Sequence, residues 1–480
     1  MADIYRPSLR LRPSEQRTVL LIGDFIASAA ATAGAILFWY QYSLYRLIDS
    51  GVKPNVAERI IRVEVPIWFY LLPLAWLLLM VDSYEIHTAS NFRKTLRAIA
   101  VAPIVGLLGY SLFFTVNTDP NSLPRIAIGA FLVIASFLTL GWRAVYIRLY
   151  TSSGLMRRVL IVGAGKAGRT LVEAYRKLNP PPFLLIGFVD DDPVKRSKSF
   201  HGFAVLGDSR RLFDLVEDYR ISDVVVAING EIKGETFQTV LDIQERGIEV
   251  TRMPILYEEL TQRVPIEHLE TDWVIRSFVD QVRVHGFYEL LKRSMDILGG
   301  ILGMLVFLIL LPIIAIAIIV ETGFPVFYSQ PRLGKGAQPF NTLKFRTMTQ
   351  NAEADGQPMV AAENDPRVTR VGNFLRKTRL DELPQFWTVL RGEMSLVGPR
   401  AERPELVAEY QKKIPYYRAR LLVKPGLTGW AQINYGYVAT IKETFVKLEY
   451  DLYYIKHRTL ALDFSIVLRT IGTVLRRTGR

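Results

Sequence analysis

Cysteine is absent from the 480 residues, which excludes disulfides, a thiolate nucleophile and cysteine-ligated zinc. Histidine is scarce. The five present (His87, His201, His268, His285 and His457) are widely scattered, which argues against a histidine-rich metal site. Polarity is also short for a soluble enzyme: half of the residues are hydrophobic and the mean hydropathy is above zero, so membrane segments are expected. The formal net charge of +13 suits nucleic acid, anionic lipid headgroups or phosphorylated substrates. The apolar content favours the last two, and no nucleic-acid partner is expected.

Four apolar runs, near residues 18–40, 64–82, 97–117 and 124–147, are each long enough to cross a hydrocarbon layer of roughly 30 Å. They predict a four-helix transmembrane bundle over residues 1–150. Arg6, Arg10, Arg12 and Arg17 precede the first run, Arg93, Lys94 and Arg97 separate the second from the third, and Arg143, Arg148, Arg157 and Arg158 follow the fourth. The excess of basic residues at these places puts both ends of the bundle in the cytoplasm. The alternative is a set of buried core helices in a soluble protein.

Residues 151–275 read as a Rossmann-like α/β module. "RRVLIVGAGKAGRTLVEAY" is an apolar strand, a Gly163-x-Gly165-x-x-Gly168 turn and an amphipathic helix, and further strand-like runs follow. In a dinucleotide fold these glycines admit a pyrophosphate to a helix start, and an acid ending the second strand takes the ribose. Asp190 is placed for that role. No substrate machinery accompanies the fingerprint, so a packing or regulatory module with a tight glycine turn is an equal reading. Its lack of evident chemistry also suits a contact in a homo-oligomer.

The next apolar run, about 297–320, has basic flanks on both sides: Lys292 and Arg293 before, Arg332, Lys335, Lys344 and Arg346 after. Pro312 lies within it and removes a helix donor. A re-entrant helix-hairpin, broken at Pro312 and returning to the cytoplasmic face, satisfies both observations; a proline-kinked spanning helix is the alternative.

Beyond it, "TRLDELPQFW" places Asp381 and Glu382 beside Arg376, Lys377 and Arg379. A capping box from Thr378 would put Pro384 inside the helix, where it breaks a hydrogen bond. A helix starting at Leu380 or Asp381 tolerates Pro384 in its first turn and leaves both acids at the positive helix end. A nucleophilic carboxylate, a neighbouring acid able to hold Mg²⁺ and arginines for phosphate are the parts of phosphoryl transfer. A solvated salt-bridge cluster would use the same residues.

Together with "KFRTM", "SLVGPR" and "LTGWAQ", in this order behind a proline-broken apolar run, the segment closely resembles the bacterial sugar transferases, the monotopic polyprenyl-phosphate phosphoglycosyl transferases. The whole chain is similar to the large kind, with a membrane bundle and a Rossmann-like module ahead of a mainly helical α/β catalytic domain, here 285–480. The resemblance implies that Asp381 attacks the β-phosphate of a UDP-sugar (UDP-glucose or UDP-galactose), releasing UMP. Polyprenyl phosphate, in bacteria undecaprenyl phosphate, then takes the sugar phosphate and starts exopolysaccharide or capsule assembly. It further implies Glu382 as the Mg²⁺ ligand, Arg376 as a phosphate-holding residue and Arg400 with Pro399 as the nucleotide-contacting loop. Lys344 is implied in catalysis, and Arg346 and Asp451 in substrate binding, at a site on the cytoplasmic face of a bacterial inner membrane. Two departures fall where selectivity could reside. The loop reads Pro399-Arg400-Ala401 in place of Pro-Arg-Pro, and "YGYVAT" follows "GWAQIN". Rival readings are a membrane-bound NAD-dependent nucleotide-sugar dehydratase, which would need a second dinucleotide fold, and a non-catalytic scaffold for polysaccharide export.

Overall fold

Long apolar runs become helices because only a helix satisfies its backbone N–H and C=O groups within one segment. A computed structural model describes residues 13–60, 65–84, 89, 91–116, 125–150, 156–230, 234–269, 286–349, 365–436 and 440–475. Three of its helices are long and apolar enough to cross a membrane: Glu15–Asp49, Arg125–Leu149 and Gly286–Thr322. Arg6, Arg10 and Arg12, and the expected limits at 151, 275, 285 and 480, lie outside the described residues. The chain divides into two units, Met1–Leu256 and Tyr257–Arg480.

The first unit begins with α1 (Pro13–Asp49), α2 (Pro54–Ile60), α3 (Leu72–Leu79), α4 (Phe92–Val116) and α5 (Arg125–Tyr150). Helices α1 and α5 bury small residues, Ala31, Ala35, Ala127 and Ala135, which let helix backbones approach. Arg143 of α5 donates to Asp24 of α1 at 2.6 Å and to the Ser83 hydroxyl at 2.7 Å, so a charge buried among apolar helices is partnered. The run at 64–82 differs from expectation. It forms a 3-10 turn (Ile67–Leu71), the short α3 and a second 3-10 turn (Val81–Tyr84) rather than one long helix. Pro73 lies in the first turn of α3, the position where a missing N–H is tolerated, and so marks where that helix starts.

The unit continues with β1 (Arg158–Val162), α6 (Lys166–Arg176), β2 (Leu184–Val189), β3 (Ser199–Phe200), β4 (Phe203–Gly207), α7 (Leu212–Asp218), β5 (Asp223–Val226), α8 (Gly234–Glu245) and β6 (Glu249–Arg252). These strands form one sheet in the order β3-β4-β2-β1-β5-β6, parallel except for the β3–β4 pair. The interior strand β5 is buried at every position, as a parallel strand covered on both faces must be.

Helix α9 (Met253–Thr261) leads into the second unit, which holds α10 (Gly286–Thr322), a hairpin of β7 (Phe327–Leu333) and β8 (Pro339–Phe345), α11 (Arg370–Thr378), α12 (Gln385–Arg391), β9 (Ser395–Val397), α13 (Pro404–Lys413), β10 (Gly426–Thr428), α14 (Trp430–Asn434), α15 (Ile441–Lys456) and α16 (Leu460–Leu475). Helix α10 runs through Pro312 as one helix, where the sequence predicts a break. A proline inside a helix removes one N–H and bends it, and the apolar residues on either side keep the rest of the ladder.

Both ends of α10 are bonded within this unit. Near its start, Asp296 accepts from the Ser395 hydroxyl and the Leu396 N–H, each at 2.9 Å. At its end, Glu321 accepts the N–H groups of Arg370 at 2.7 Å and Val371 at 3.0 Å. Between them Gly299, Gly300 and Gly303 let the helix lie against Leu396, Leu390 and Phe386, side chains that a Cβ would strike. The opposite face leaves Leu298, Leu302, Leu305, Ile309, Ile313, Ile316 and Val320 exposed.

Candidate active site

Three short pieces of chain bring the charged residues together. Thr369 caps α11 by accepting the Gly372 N–H at 2.9 Å, and α11 ends at Arg379, whose φ of 59° is left-handed. Leu380–Glu382 then make a single 3-10 turn, and α12 starts only at Gln385, with Pro384 immediately ahead of it. The expected helix start at Leu380 or Asp381 is thereby corrected. The left-handed residue ends one helix, and the 3-10 turn takes up the chain before Pro384, whose missing donor falls where no intrahelical bond is needed. The Glu382 N–H goes to the Arg379 carbonyl at 3.3 Å, so that donor is not free for an anion. Thr378 forms no capping box; its hydroxyl bonds back to the Phe374 carbonyl at 2.8 Å.

Asp381 and Glu382 are both buried, with 8% of each exposed, yet their surroundings differ. Glu382 Oε1 accepts from Lys344 Nζ at 2.5 Å and from Arg400 Nη2 at 2.9 Å. Burial works to raise its carboxyl, but Arg400 and Lys344 outweigh it and hold the group well below the usual carboxylate range. Asp381 has Lys344 only at 4.0 Å, and its Oδ1 is buried without a hydrogen-bond partner. Burial, with Glu382 adding repulsion, raises its carboxyl against the pull of Lys344. One acid is pinned by two cations; the other keeps an oxygen uncommitted.

The other expected residues fall at different distances from this pair. Lys344, on β8 beside Tyr328 of β7, touches both acids. Arg376 donates Nε to the Thr347 hydroxyl at 2.9 Å; burial lowers its guanidinium while Asp381 and Asp365 draw it back up. Arg400 follows β9 through Gly398-Pro399. A Cβ on Gly398 or Gly426 would overlap the facing backbone, so these glycines are what let the loop and β10 meet. The Pro399 carbonyl accepts the Gly426 N–H at 2.9 Å. Arg346 faces elsewhere: its Nη2 donates to the Thr322 hydroxyl at 2.6 Å and to the Gly323 carbonyl, closing the end of α10. Asp451 is buried against Arg420 at 2.8 Å, and Arg420 in turn donates to the Arg400 carbonyl at 2.9 Å, so Asp451 reaches the site through Arg400.

Sequence reasoning missed Arg420, Glu402, Lys447 and Thr347. Glu402 binds Lys447 at 2.7 Å; burial raises its carboxyl, but Lys447 and Arg420 pull it down to about 2. Its position two residues beyond Arg400 was a usable signal; nothing in the spacing pointed to Arg420.

Mg²⁺ takes one or two carboxylates and completes its octahedron with water and substrate phosphate. Among the described residues no group of three or more acids or histidines gathers to hold a metal. The pair here nevertheless fits such an ion, since Asp381 Oδ1 is uncommitted and both bonds to Glu382 fall on Oε1.

In the first unit, Gly163 has a φ of 108°, and a Cβ on Gly168 would strike its carbonyl oxygen. Asp190 accepts the Ala164 N–H at 2.7 Å and pairs with Lys195 at 3.0 Å, so the acid expected to take a ribose is bonded to the turn itself. Gly165 starts α6 in extended conformation.

A family model described as bacterial sugar transferase matches residues 287–477, and one described as CoA-binding domain matches residues 80–251. The chain is 38% identical over 307 residues to a UDP-N-acetylgalactosamine-undecaprenyl-phosphate N-acetylgalactosaminephosphotransferase of Aeromonas hydrophila, covering 63% of this chain and 69% of that one. It is 34% identical to a UDP-glucose:undecaprenyl-phosphate glucose-1-phosphate transferase of Escherichia coli K12, covering 66% and 67% of the two chains. It is 31% identical to a UDP-galactose-lipid carrier transferase of Erwinia amylovora, covering 67% and 69%.

Proposed function

The chain belongs to the bacterial sugar transferase family of polyprenyl-phosphate sugar-1-phosphate transferases, and from that premise we propose that it moves a hexose 1-phosphate from a UDP-hexose to undecaprenyl phosphate, with Asp381 as nucleophile. It is an enzyme of sugar-phosphate transfer. The observation that carries the mechanistic reading is the division of labour between the two acids: Glu382 holds Lys344 and Arg400, while Asp381 keeps a buried oxygen with no partner.

An Asp381 carboxylate oxygen attacks the β-phosphorus of the donor. The bond from that phosphorus to the bridging oxygen breaks, UMP leaves with the electron pair, and an aspartyl phosphohexose remains. An oxygen of undecaprenyl phosphate then attacks the same phosphorus, releasing polyprenyl diphosphate-hexose and restoring Asp381. Charge gathers on the phosphoryl oxygens in both steps; Lys344 and Arg400 pair with the two acids and Arg376 feels the charge of Asp381, so these cations would be the ones to neutralise it. Mg²⁺ held by Glu382 would add Lewis-acid neutralisation of the phosphates and leave the free Asp381 oxygen for attack.

UDP-glucose and UDP-galactose are the first donors to test, and the name of the Aeromonas relative adds UDP-N-acetylgalactosamine. The product would initiate exopolysaccharide or capsule assembly. Asp296 and Glu321 stand about 38 Å apart along α10, more than the roughly 30 Å of a bilayer core. Both bond to the second unit, which favours a helix that dips into the cytoplasmic leaflet of the inner membrane and presents its bare face to lipid. The N-terminal helices would anchor the chain as a bundle. The Rossmann-like module would serve packing, regulation or contact in a homo-oligomer, since a ribose at Asp190 would have to displace Lys195.

UMP release from each UDP-hexose, with Mg²⁺ and undecaprenyl phosphate, tests the reading. Wild type should release UMP with one donor and Asp381→Asn with none; an active Asp381→Asn variant would sink it.

A further inference from the structure

Helix α15 is gripped on two sides. On one, residues 257–269 lie along it. Lys456 bonds both carboxylate oxygens of Glu258, each at 2.9 Å, and His457 meets the same carboxylate at 2.9 Å. Arg263 pairs with Glu449 at 3.3 Å, and the Val264 N–H donates to the Glu449 carbonyl at 3.1 Å. Val264 and Ile266 are buried in one apolar cluster with Leu448, Leu452 and Ile455, and Trp430 donates to the Gln262 carbonyl at 3.1 Å. On the other side of the helix, Asp451 holds Arg420, which holds the Arg400 backbone, while Lys447 binds Glu402 of the same loop. Positions 449 and 451 project about 200° apart, so a rotation of the helix moves both contacts together.

We propose that residues 257–269 are a positioning segment for the transfer reaction: docked on α15, they set the Asp451–Arg420 pair and, through it, the loop that presents Arg400 to Glu382. The segment lies ahead of the region 287–477 matched by the family model. Apolar side chains from the segment complete the core around α15, and charge pairs at Glu258 and Arg263 fix its register. Displacement of a substrate-holding group by about 1 Å is enough to cost a large factor in turnover, which gives so small a segment its leverage. The inference rests on the reading of Arg400 as a group that binds the donor.

The test compares full-length wild type with Arg263→Gln and Arg263→Lys in lipid nanodiscs by two readouts: amide hydrogen exchange of peptides covering 257–269, 398–402 and 441–456, and kcat and KM for the active UDP-hexose. Arg263→Gln should speed exchange in the segment and also in 398–402, and raise donor KM about fivefold with kcat within roughly twofold. Arg263→Lys, which keeps the charge and the fold, should restore most of both. Faster exchange in the segment with 398–402 and KM unchanged would overturn the proposal, as would no loosening of the segment at all. If wild type releases no UMP, the functional reading fails, while exchange at 398–402 still decides the coupling.

Discussion

Replacing Lys344 by methionine removes the cation that, among the described residues, pairs with both acids. Its Nζ lies 2.5 Å from Glu382 Oε1 and 4.0 Å from Asp381 Oδ2. A charge pair at that second distance is worth about 4 kcal/mol at an effective dielectric near 20. Loss of one preorganised donor beside developing charge costs about 10²–10³ in kcat, or roughly 2.7–4 kcal/mol. Glu382 keeps Arg400 at 2.9 Å and Asp381 loses a cation that stood only at 4.0 Å, so the loss of stability should stay below the ~3–5 kcal/mol of a fully broken close buried pair. Single-turnover UMP release and thermal unfolding of the same preparation separate the effects. Lys344→Met should lose about a hundredfold or more in rate with a small shift in Tm. A rate within about threefold of wild type would refute the electrostatic role, and so would a loss explained by unfolding.

Two further outcomes are expected. Burial, opposed by Arg263 and aided by Glu267, lifts the Glu449 carboxyl from 4.5 to about 7. The folded state then binds this proton more tightly than the unfolded chain, so its contribution to stability is complete below about 4.5 and is lost as pH rises through about 7. Thermal scans across that window should show Tm falling toward neutral pH, and Glu449→Gln should flatten the slope; an unchanged slope would contradict the assignment. Gly303→Leu should drive a side chain into the Phe386 ring and cost about 1–3 kcal/mol in unfolding experiments, whereas Leu305→Ala on the bare face of α10 should leave detergent-phase stability nearly unchanged.

The parts legible from sequence were those written in local pattern. The apolar runs at 18–40 and 124–147 became long helices, the alternation from 158 to 252 became a mainly parallel sheet, and the Asp381-Glu382 pair sits among the cations expected around it. What stayed hidden depends on contacts across the chain. Composition marked 64–82 as a span, but Pro66 and Pro73 divide it, a local signal outweighed by hydropathy. Asp190 stood where a ribose ligand would, and only the fold reveals that its carboxylate closes the glycine turn. Arg346, expected in substrate binding, donates through one nitrogen to the end of α10, and Asp451 pairs with Arg420, thirty-one positions away. No spacing rule links such pairs, because tertiary packing alone brings them together.

The central claim is the covalent step at Asp381. Incubating the purified protein with Mg²⁺ and its UDP-hexose in the absence of lipid acceptor, then quenching in acid and mapping peptides by mass spectrometry, tests it directly. The account predicts one added phosphohexose per chain, located on Asp381, formed together with UMP and discharged when undecaprenyl phosphate is supplied. UMP formed only in the presence of acceptor, with peptide 379–391 unmodified, would mean direct transfer between the two substrates and would contradict it.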